Sequence, residues 1–221
     1  MADTKEGRKP GILRTSLIGM LFCMIFMLLL TGCGSGVKGT SSEKHEVTTT
    51  AGATQAGKED SSGKTGKTLV VYFSATGTTK RVANIIAEAE QADIYEIVPA
   101  EPYTVQDLNY SDKQNRATRE QRDKNVRPSI GGEKIDIGKY DTIYIGYPIW
   151  WYEEPRIMDT FVEQYDFTGK TLIPFSTSNS AGITRSQNNL EKLAKGGKWL
   201  EGRRFSRTAS EKEIESWVES L

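Results

Sequence analysis

The sequence predicts an α/β fold for residues 67–221, with a parallel β-sheet between two layers of helices. Apolar runs of strand length recur along this part of the chain, and segments with helical periodicity separate them. The best of these runs are apolar throughout instead of alternating, which is typical of strands buried on both faces. The length is sufficient for one domain with one hydrophobic core.

The N-terminal half of this domain begins with a strand predicted at Thr68–Phe73 and a helix predicted at Thr78–Glu90. A second strand is predicted at Asp93–Val98. The following polar segment, residues 101–133, shows little periodicity, and only a helix somewhere within 111–124 is indicated. Its densest basic stretch, Lys113–Arg127, is diluted by acidic residues, so we interpret that stretch as a solvated, partly helical surface.

The C-terminal half begins with a third strand, predicted at Thr142–Tyr147. Pro155 fits the first turn of the next helix, where its missing N–H group is tolerated. A fourth strand is predicted at Leu172–Ser176. Because Pro174 cannot donate a hydrogen bond to a neighbouring strand, it predicts a bulge there.

Another helix, a strand and a last helix follow along the chain. A helix is predicted at Arg185–Ala194 and a weak strand at Arg203–Phe205. Ser210 and Glu213 have the spacing of a capping box, which starts a last helix whose apolar face, ending at Leu221, is expected to be buried. Ligands of such sheets bind beyond the carboxyl ends of the strands, so the loops after the first, third and fourth strands are the candidate site.

Composition restricts the chemistry of this domain. The chain has two cysteines and one histidine, and all three precede residue 67. The domain therefore has no side chains for Cys–His or Ser–His catalysis, for disulfides or for nearly all zinc sites. We predict no catalytic side chain and no metal, and any reactive group would be a bound cofactor. Equal numbers of basic and acidic residues in the chain give no indication of nucleic acid binding.

The first candidate loop, residues 74–79, combines four hydroxyl side chains with one glycine and leads directly into a helix. Backbone N–H groups and the positive end of a helix gather around an anion in this arrangement. Because no Lys or Arg lies within the loop, neutral donors would hold a phosphate there. Neither G-x-x-x-x-G-K-[ST] nor G-x-G-x-x-G occurs within residues 67–221. A polar turn with Thr78 as the N-cap is the alternative.

The second candidate loop has three consecutive large aromatic residues, Trp150, Trp151 and Tyr152, shortly after a proline. All three rings cannot point into the core, so at least one is expected at the ligand edge, where it can stack on a flat ring. The third loop, residues 177–182, supplies small polar side chains. Together, the three loops indicate a site for a mononucleotide with a large planar ring.

These loops resemble those of a known family. Val70–Thr79 resembles the phosphate loop of flavodoxins, whose core is [ST]-x-T-G-x-T. Ile145–Trp151, Pro155 and Ile173–Ser178 are similar to a bacterial flavodoxin-like family. The resemblance runs over residues 67–221. It implies a flavodoxin-like three-layer sandwich, with a five-stranded parallel sheet in the order 2-1-3-4-5, and flavin mononucleotide (FMN) as the cofactor.

The resemblance also implies which residues bind FMN. The first loop would hold the phosphate, the second would flank the isoalloxazine, and the third would line its far side. The implied residues are Ser74, Ala75, Thr76, Gly77, Thr78, Thr79, Pro148, Ile149, Trp150, Trp151, Tyr152, Thr177, Ser178, Asn179 and Gly182. Tyr152 and Asn179 stand where the family more often has glycine, and Tyr152 would crowd or cap the ring.

The N-terminal third has a different organisation. Residues 1–32 read as a secretory signal peptide, with basic residues before an apolar run at 17–30. That run is shorter than the roughly 20 residues of a membrane-spanning helix. Leu30–Cys33 resembles the bacterial lipobox, which implies an acylated Cys33 at the cell membrane and a domain outside the cytoplasm. An uncleaved signal anchor is the alternative. Residues 33–66, rich in Gly, Ser and Thr, are expected to form a flexible tether.

Three functions agree with these features. The first is electron transfer through FMN to an unknown redox partner, in which Glu153 and Glu154 would disfavour an anionic reduced flavin or would simply begin a helix. The second is an FMN-dependent reductase of quinones or other small acceptors. The third is a flavin-free binding lipoprotein with the same fold. Because the sequence offers no clear nicotinamide site, we favour the electron carrier.

Overall fold

The computed structural model describes residues 66–221, which form a parallel β-sheet with helices on both faces. The predicted signal peptide, acylated cysteine and tether, residues 1–65, lie outside the described residues. The strands are β1 (Thr68–Tyr72), β2 (Asp93–Glu96), β3 (Thr142–Pro148), β4 (Thr171–Thr177), β5 (Lys198–Trp199) and β6 (Arg203–Phe205). The α-helices are α1 (Thr78–Ala89), α2 (Arg116–Arg122), α3 (Arg156–Glu163), α4 (Thr184–Leu193) and α5 (Glu211–Val218), and a short 3-10 helix covers Ile137–Lys139.

The strand order is β2-β1-β3-β4-β5, and all strand pairs are parallel. This confirms the predicted order. The fifth position is divided, because β5 pairs with the start of β4 and β6 pairs with its end. The chain moves from β1 outward to β2 and then returns to place β3 on the other side of β1. The order therefore reverses beside β1 and β3, where parallel sheets bind ligands.

The core has two parts, one on each face of the sheet. Leu69 and Val71 point to the face covered by α3 and α4, whereas Val70 and Tyr72 point to the face covered by α1 and α5. All four side chains are buried. Burial of both faces explains why the strands read as continuous apolar runs, since each fully buried apolar side chain contributes about 1.5–3 kcal/mol.

Pro174 lies inside a regular strand, so the predicted bulge is wrong. It pairs with Ile145 of β3 in unbroken register. On the opposite side of β4, the Leu172 carbonyl accepts from Leu200 N–H, and Ser178 N–H donates to the Phe205 carbonyl. The nitrogen of Pro174 faces this same side, because alternate residues of a strand point the same way. It meets the gap between β5 and β6, so no hydrogen bond is lost.

Two further expectations need correction. The segment interpreted as a solvated surface contains α2, four residues of which are buried: Ala117, Thr118, Glu120 and Gln121. In the last helix, the Ser210 hydroxyl accepts from Glu213 N–H as half of a capping box, but Leu221 is 45% exposed. No helix within residues 66–221 is long and apolar enough to cross a membrane. Nor does this part of the chain bring three His, Cys, Asp or Glu side chains together as a metal site.

Candidate functional site

A cleft of about 520 Å³ opens where β1, β3 and β4 end. The loops that follow these three strands line it, as the sequence predicts. The predicted residues that line the cleft are Ser74, Ala75, Thr76, Thr78, Thr79, Pro148, Ile149, Trp150, Trp151, Tyr152, Thr177, Ser178 and Asn179. Gly77 shapes the first loop without lining the cleft. Gly182 is exposed and is not among the residues that line the cleft.

The first of these loops, residues 74–79, is referred to below as the phosphate loop. Gly77 is the N-cap of α1, with a φ of 84° that a side chain would disfavour. Its N–H donates to the Ser74 hydroxyl at 3.1 Å, which closes the loop. The alternative prediction, Thr78 as the N-cap, is therefore wrong. Thr78 is the first helical residue.

The start of α1 presents N–H groups to the cleft. The first backbone bond of the helix joins Arg81 N–H to the Gly77 carbonyl, so Thr78 and Thr79 have no helical acceptor for theirs. No side chain caps them, and no acidic residue lies in the first turn. The Thr79 hydroxyl is buried and lies 2.8 Å from the Thr177 hydroxyl, which fixes the phosphate loop to the end of β4. This arrangement favours a bound anion.

The second loop contains a tight turn at residues 150–153, called the aromatic turn below. Trp150 and Glu153 exchange both backbone hydrogen bonds, at 2.9 and 3.0 Å. The two central residues, Trp151 and Tyr152, have φ values of 48° and 69°. Such a turn favours glycine and asparagine, and each non-glycine residue held there costs about 1–3 kcal/mol. Glycine at position 152 would adopt this conformation without strain, whereas Asn179 does not have a positive φ.

The three rings of the aromatic turn have different surroundings. Trp150 is buried and packs edge-to-face on Phe73 and Tyr103, with ring centroids 5.7 and 5.2 Å apart. Trp151 is 39% exposed and Tyr152 is 67% exposed. The first ring therefore anchors the turn, and the other two stand at the rim of the cleft, where they can contact a ligand.

Side chains remote in sequence hold the aromatic turn in place. Gln121 of α2 donates its Nε2 hydrogens to the carbonyls of Trp150 and Glu154, at 2.9 and 3.1 Å. Arg156 binds the Glu153 carboxylate at 2.5 Å and donates to the Gln121 carbonyl at 3.2 Å. Both ends of the turn are thus connected to a buried polar network.

Glu153 and Glu154 do not line the cleft. Their suggested role, to disfavour an anionic reduced flavin by direct proximity, is therefore not supported by their position. Both side chains are buried, and Arg156 binds both and also Asp159. Burial opposes ionisation of Glu153, but hydrogen bonds from Arg156 and Arg185 hold its pKa below the ordinary value. Burial raises the pKa of Glu154, and nearby Asp159 raises it further. Burial likewise raises the pKa of Asp159. Arg156 is shared among three buried carboxylates, while Arg185 also binds Glu153 and Arg127 lies 3.8 Å from Asp159.

The third loop is closed by a hydrogen bond from a side chain to its own backbone. The Ser178 hydroxyl donates to the Ala181 carbonyl at 2.5 Å, so this hydroxyl is already engaged. Asn179 is exposed at the rim. Arg204 donates to the carbonyl of Ser178 at 3.2 Å and stabilises the loop from β6.

Other residues that line the cleft were not predicted. Arg207, after β6, brings a cation to a site where the sequence indicates only neutral donors. Tyr110 packs on Trp151 with ring centroids 4.9 Å apart. The unpredicted lining residues are Leu108, Tyr110, Ala117, Ser180, Ala181 and Arg207. Three of these residues, Leu108, Tyr110 and Ala117, lie within 101–133, where only scattered aromatic and apolar residues could have indicated a contribution to the site. No sequence feature near Arg207 pointed to the cleft.

Comparisons with solved structures give two relatives of high identity. A candidate flavoprotein from Bacteroides uniformis is 46% identical, with a TM-score of 0.67, and the match covers 70% of this chain and 98% of that one. A candidate flavoprotein from Bacteroides eggerthii is 44% identical, with a TM-score of 0.65, over 70% of this chain and 97% of that one.

A flavoprotein from Lactobacillus acidophilus, solved in complex with FMN, shares the fold at 23% identity and a TM-score of 0.54. It is matched over 98% of its length and 69% of this chain. A search of curated protein sequences found no match. The sequence profile of the family described as flavodoxin matches residues 67–221. The chain therefore belongs to the flavodoxin family.

Proposed function

We propose that residues 67–221 bind FMN in the cleft and carry electrons through it. The observation that carries this proposal is the meeting of the uncapped start of α1 with the exposed rings of the aromatic turn, at one sheet edge. Membership of the flavodoxin family and the fold shared with a protein solved with FMN support the same cofactor.

The residues of the cleft fit FMN in size and chemistry. The volume of the cleft, about 520 Å³, lies within the range of small-molecule sites, roughly 300–1,000 Å³. The N–H groups of Thr78 and Thr79 would hold the phosphate, with Arg207 as a nearby cation. Trp151 and Tyr152 would contact the isoalloxazine from one side, and the loop after β4 would line the other.

FMN, when bound, would supply the one- or two-electron chemistry that these side chains lack. Within the described part of the chain, the residues that line the cleft include no carboxylate and no histidine. They can hold and orient a ring and restrict its access to water, but none has an ordinary pKa near neutrality. This favours an electron carrier over an enzyme that uses acid–base catalysis.

The direct test is a visible absorption spectrum of the protein, followed by titration with FMN. We expect flavin bands and a saturable change on titration, both reduced in a Thr76→Val variant. Thr208→Val, after β6 and outside the cleft, is the matched control and should bind as the native protein does. A colourless protein that leaves FMN as it is in free solution would contradict the proposal and favour the flavin-free alternative.

The same preparation separates a carrier from an FMN-dependent reductase. A carrier should oxidise reduced nicotinamide negligibly while its flavin still accepts electrons from a chemical reductant. Steady oxidation of nicotinamide in the presence of a quinone would instead support the reductase.

We further propose that residues 1–32 are a lipoprotein signal peptide, so that Cys33 is acylated and residues 33–66 tether the domain outside the cytoplasm. The support is the sequence pattern described above. In cells, the full chain should appear in the membrane fraction, and a Cys33→Ser variant should lose the lipid mass from its processed N-terminus. Native protein without an acyl group on Cys33 would contradict this proposal.

A further inference from the structure

We propose that the domain has a second small-molecule site, beside the cleft, for a hydroxylated aromatic anion. A separate cavity of about 310 Å³ lies behind the wall of the cleft. No function described above uses it. Its lining combines rings, cations and a buried amide, namely Tyr110, Lys113, Thr118, Gln121, Arg122 and Trp151.

The two cavities share one wall. Tyr110 and Trp151 line both of them, and their rings are in tilted contact, with centroids 4.9 Å apart and ring planes inclined by 40°. Tyr110 is 63% exposed and Trp151 is 39% exposed, so apolar ring surface is open to a second planar molecule. Aromatic rings of this kind favour another ring in stacked or edge-to-face contact.

The second cavity also has uncompensated positive charge. Arg122 donates to the Lys113 carbonyl at 3.2 Å, which brings the two residues together. Within residues 66–221 neither has an ion pair, in contrast to Arg116, which binds Glu120 at 2.6 Å, and Arg127, which binds Glu163 at 2.7 Å. Two adjacent cations without a carboxylate favour an anionic ligand.

Gln121 specifies the remaining polar group of the ligand. Gln121 is 8% exposed, and its Nε2 hydrogens are used by the aromatic turn. Its Oε1 atom has no hydrogen-bond partner among the described residues. A buried acceptor left without a donor costs about 1–3 kcal/mol, so a ligand that donates a hydrogen bond is preferred.

Together these features define the ligand class. The ring packs on Tyr110 and Trp151, an acid group pairs with Lys113 and Arg122, and a hydroxyl donates to Gln121. Occupancy of this site does not require a flavin in the cleft. A molecule bound there is separated from the cleft by the side chains of Tyr110 and Trp151.

Three probes of similar size test the proposal by equilibrium dialysis against the full chain. The first, 6-hydroxynaphthalene-2-sulfonate, has both the acid group and the hydroxyl. Naphthalene-2-sulfonate lacks the hydroxyl, and 2-naphthol lacks the charge. We expect the first to bind at least about tenfold more tightly than either of the others. Equal affinity for all three, or no saturable binding, would overturn the proposal.

Variants locate the binding. Arg122→Gln should weaken the first probe about tenfold, whereas Arg119→Gln, which removes the same charge from the same helix outside the cavity, should not. An equal loss in both variants would indicate unspecific attraction and would contradict the site. Excess FMN should leave the probe bound, and its displacement would place the probe in the main cleft instead.

Discussion

The phosphate loop and the aromatic turn face each other across one cleft, yet they are stabilised in different ways. The phosphate loop closes on itself through a bond from Gly77 to Ser74, and glycine occupies its position of positive φ. The aromatic turn places Trp151 and Tyr152 at positive φ and is held from outside by Gln121. The first is closed by a local bond and has one tertiary side-chain contact, from Thr79 to Thr177, whereas the second depends on a network of tertiary contacts.

The two halves of the site should therefore respond differently to substitution. A local loop tolerates changes elsewhere in the domain but not a change of its glycine. A strained turn persists only where its surroundings over-determine it, so remote residues become as important as its own. The following predictions test that contrast, beginning with the largest effect.

Loss of Arg156 should have the largest effect. This side chain is 3% exposed and binds Glu153, Glu154 and Asp159. Arg156→Leu leaves these buried carboxylates without their main partner, and we expect the free energy of unfolding to fall by about 3–5 kcal/mol in chemical denaturation. Arg185, the other partner of Glu153, has a side chain that is 62% exposed. Arg185→Gln should cost less than about 1 kcal/mol. Similar losses of stability in the two variants would contradict the conclusion that the buried Arg156 is the main partner of these carboxylates.

The pH dependence of stability should follow from the same network. Because burial raises the pKa of Glu154, the folded state keeps a proton that the unfolded state has released. Stability from this group is therefore complete at low pH and falls as pH rises from about 5 to about 8. We expect Glu154→Gln to flatten this fall in denaturation curves measured across the range. Equal slopes for both proteins would show that Glu154 ionises normally.

Gly77→Ala should destabilise the phosphate loop through its backbone alone. A Cβ atom at Gly77 meets nothing within 4 Å, but φ is 84°. We expect the free energy of unfolding to fall by about 1–2 kcal/mol. Gly182→Ala is the matched control, because its Cβ is equally free and φ is not positive there; it should be neutral or slightly stabilising. An unchanged Gly77→Ala protein would mean that the loop is not constrained.

Tyr152→Gly should have the smallest effect, and of opposite sign. Glycine relieves the strain at a φ of 69°, so we expect stability to rise by up to about 1 kcal/mol in thermal or chemical denaturation. Asn179→Gly, at a position where φ is not positive, removes no such strain and should be neutral or slightly destabilising. A loss of stability in Tyr152→Gly would show that the tyrosine ring supports the turn.

Local patterns predicted most of the fold. The apolar strands gave the parallel sheet, and the resemblance gave its order, which the structure confirms. The threonine-rich loop and the aromatic run likewise pointed to the cleft. Pro174 was misjudged because the break between β5 and β6, which accommodates it, is formed by residues far along the chain.

The support of the site was not predictable in the same way. Arg207 and Tyr110 reach the cleft from segments without a motif, and Gln121 reaches the aromatic turn from a helix of seven residues. The Glu153–Glu154 pair had the charge expected of a flavin-tuning group, but Arg156 and burial decide where it points. Such contacts depend on packing between elements, which periodicity does not reveal.

The most direct test of the account is calorimetric titration of the protein with FMN and, separately, with riboflavin. The two ligands share the ring and differ in the phosphate. If the start of α1 holds the phosphate, FMN should bind at least about 100-fold more tightly, as two charge-assisted hydrogen bonds would give. Equal affinities, or no binding of either ligand, would contradict the account.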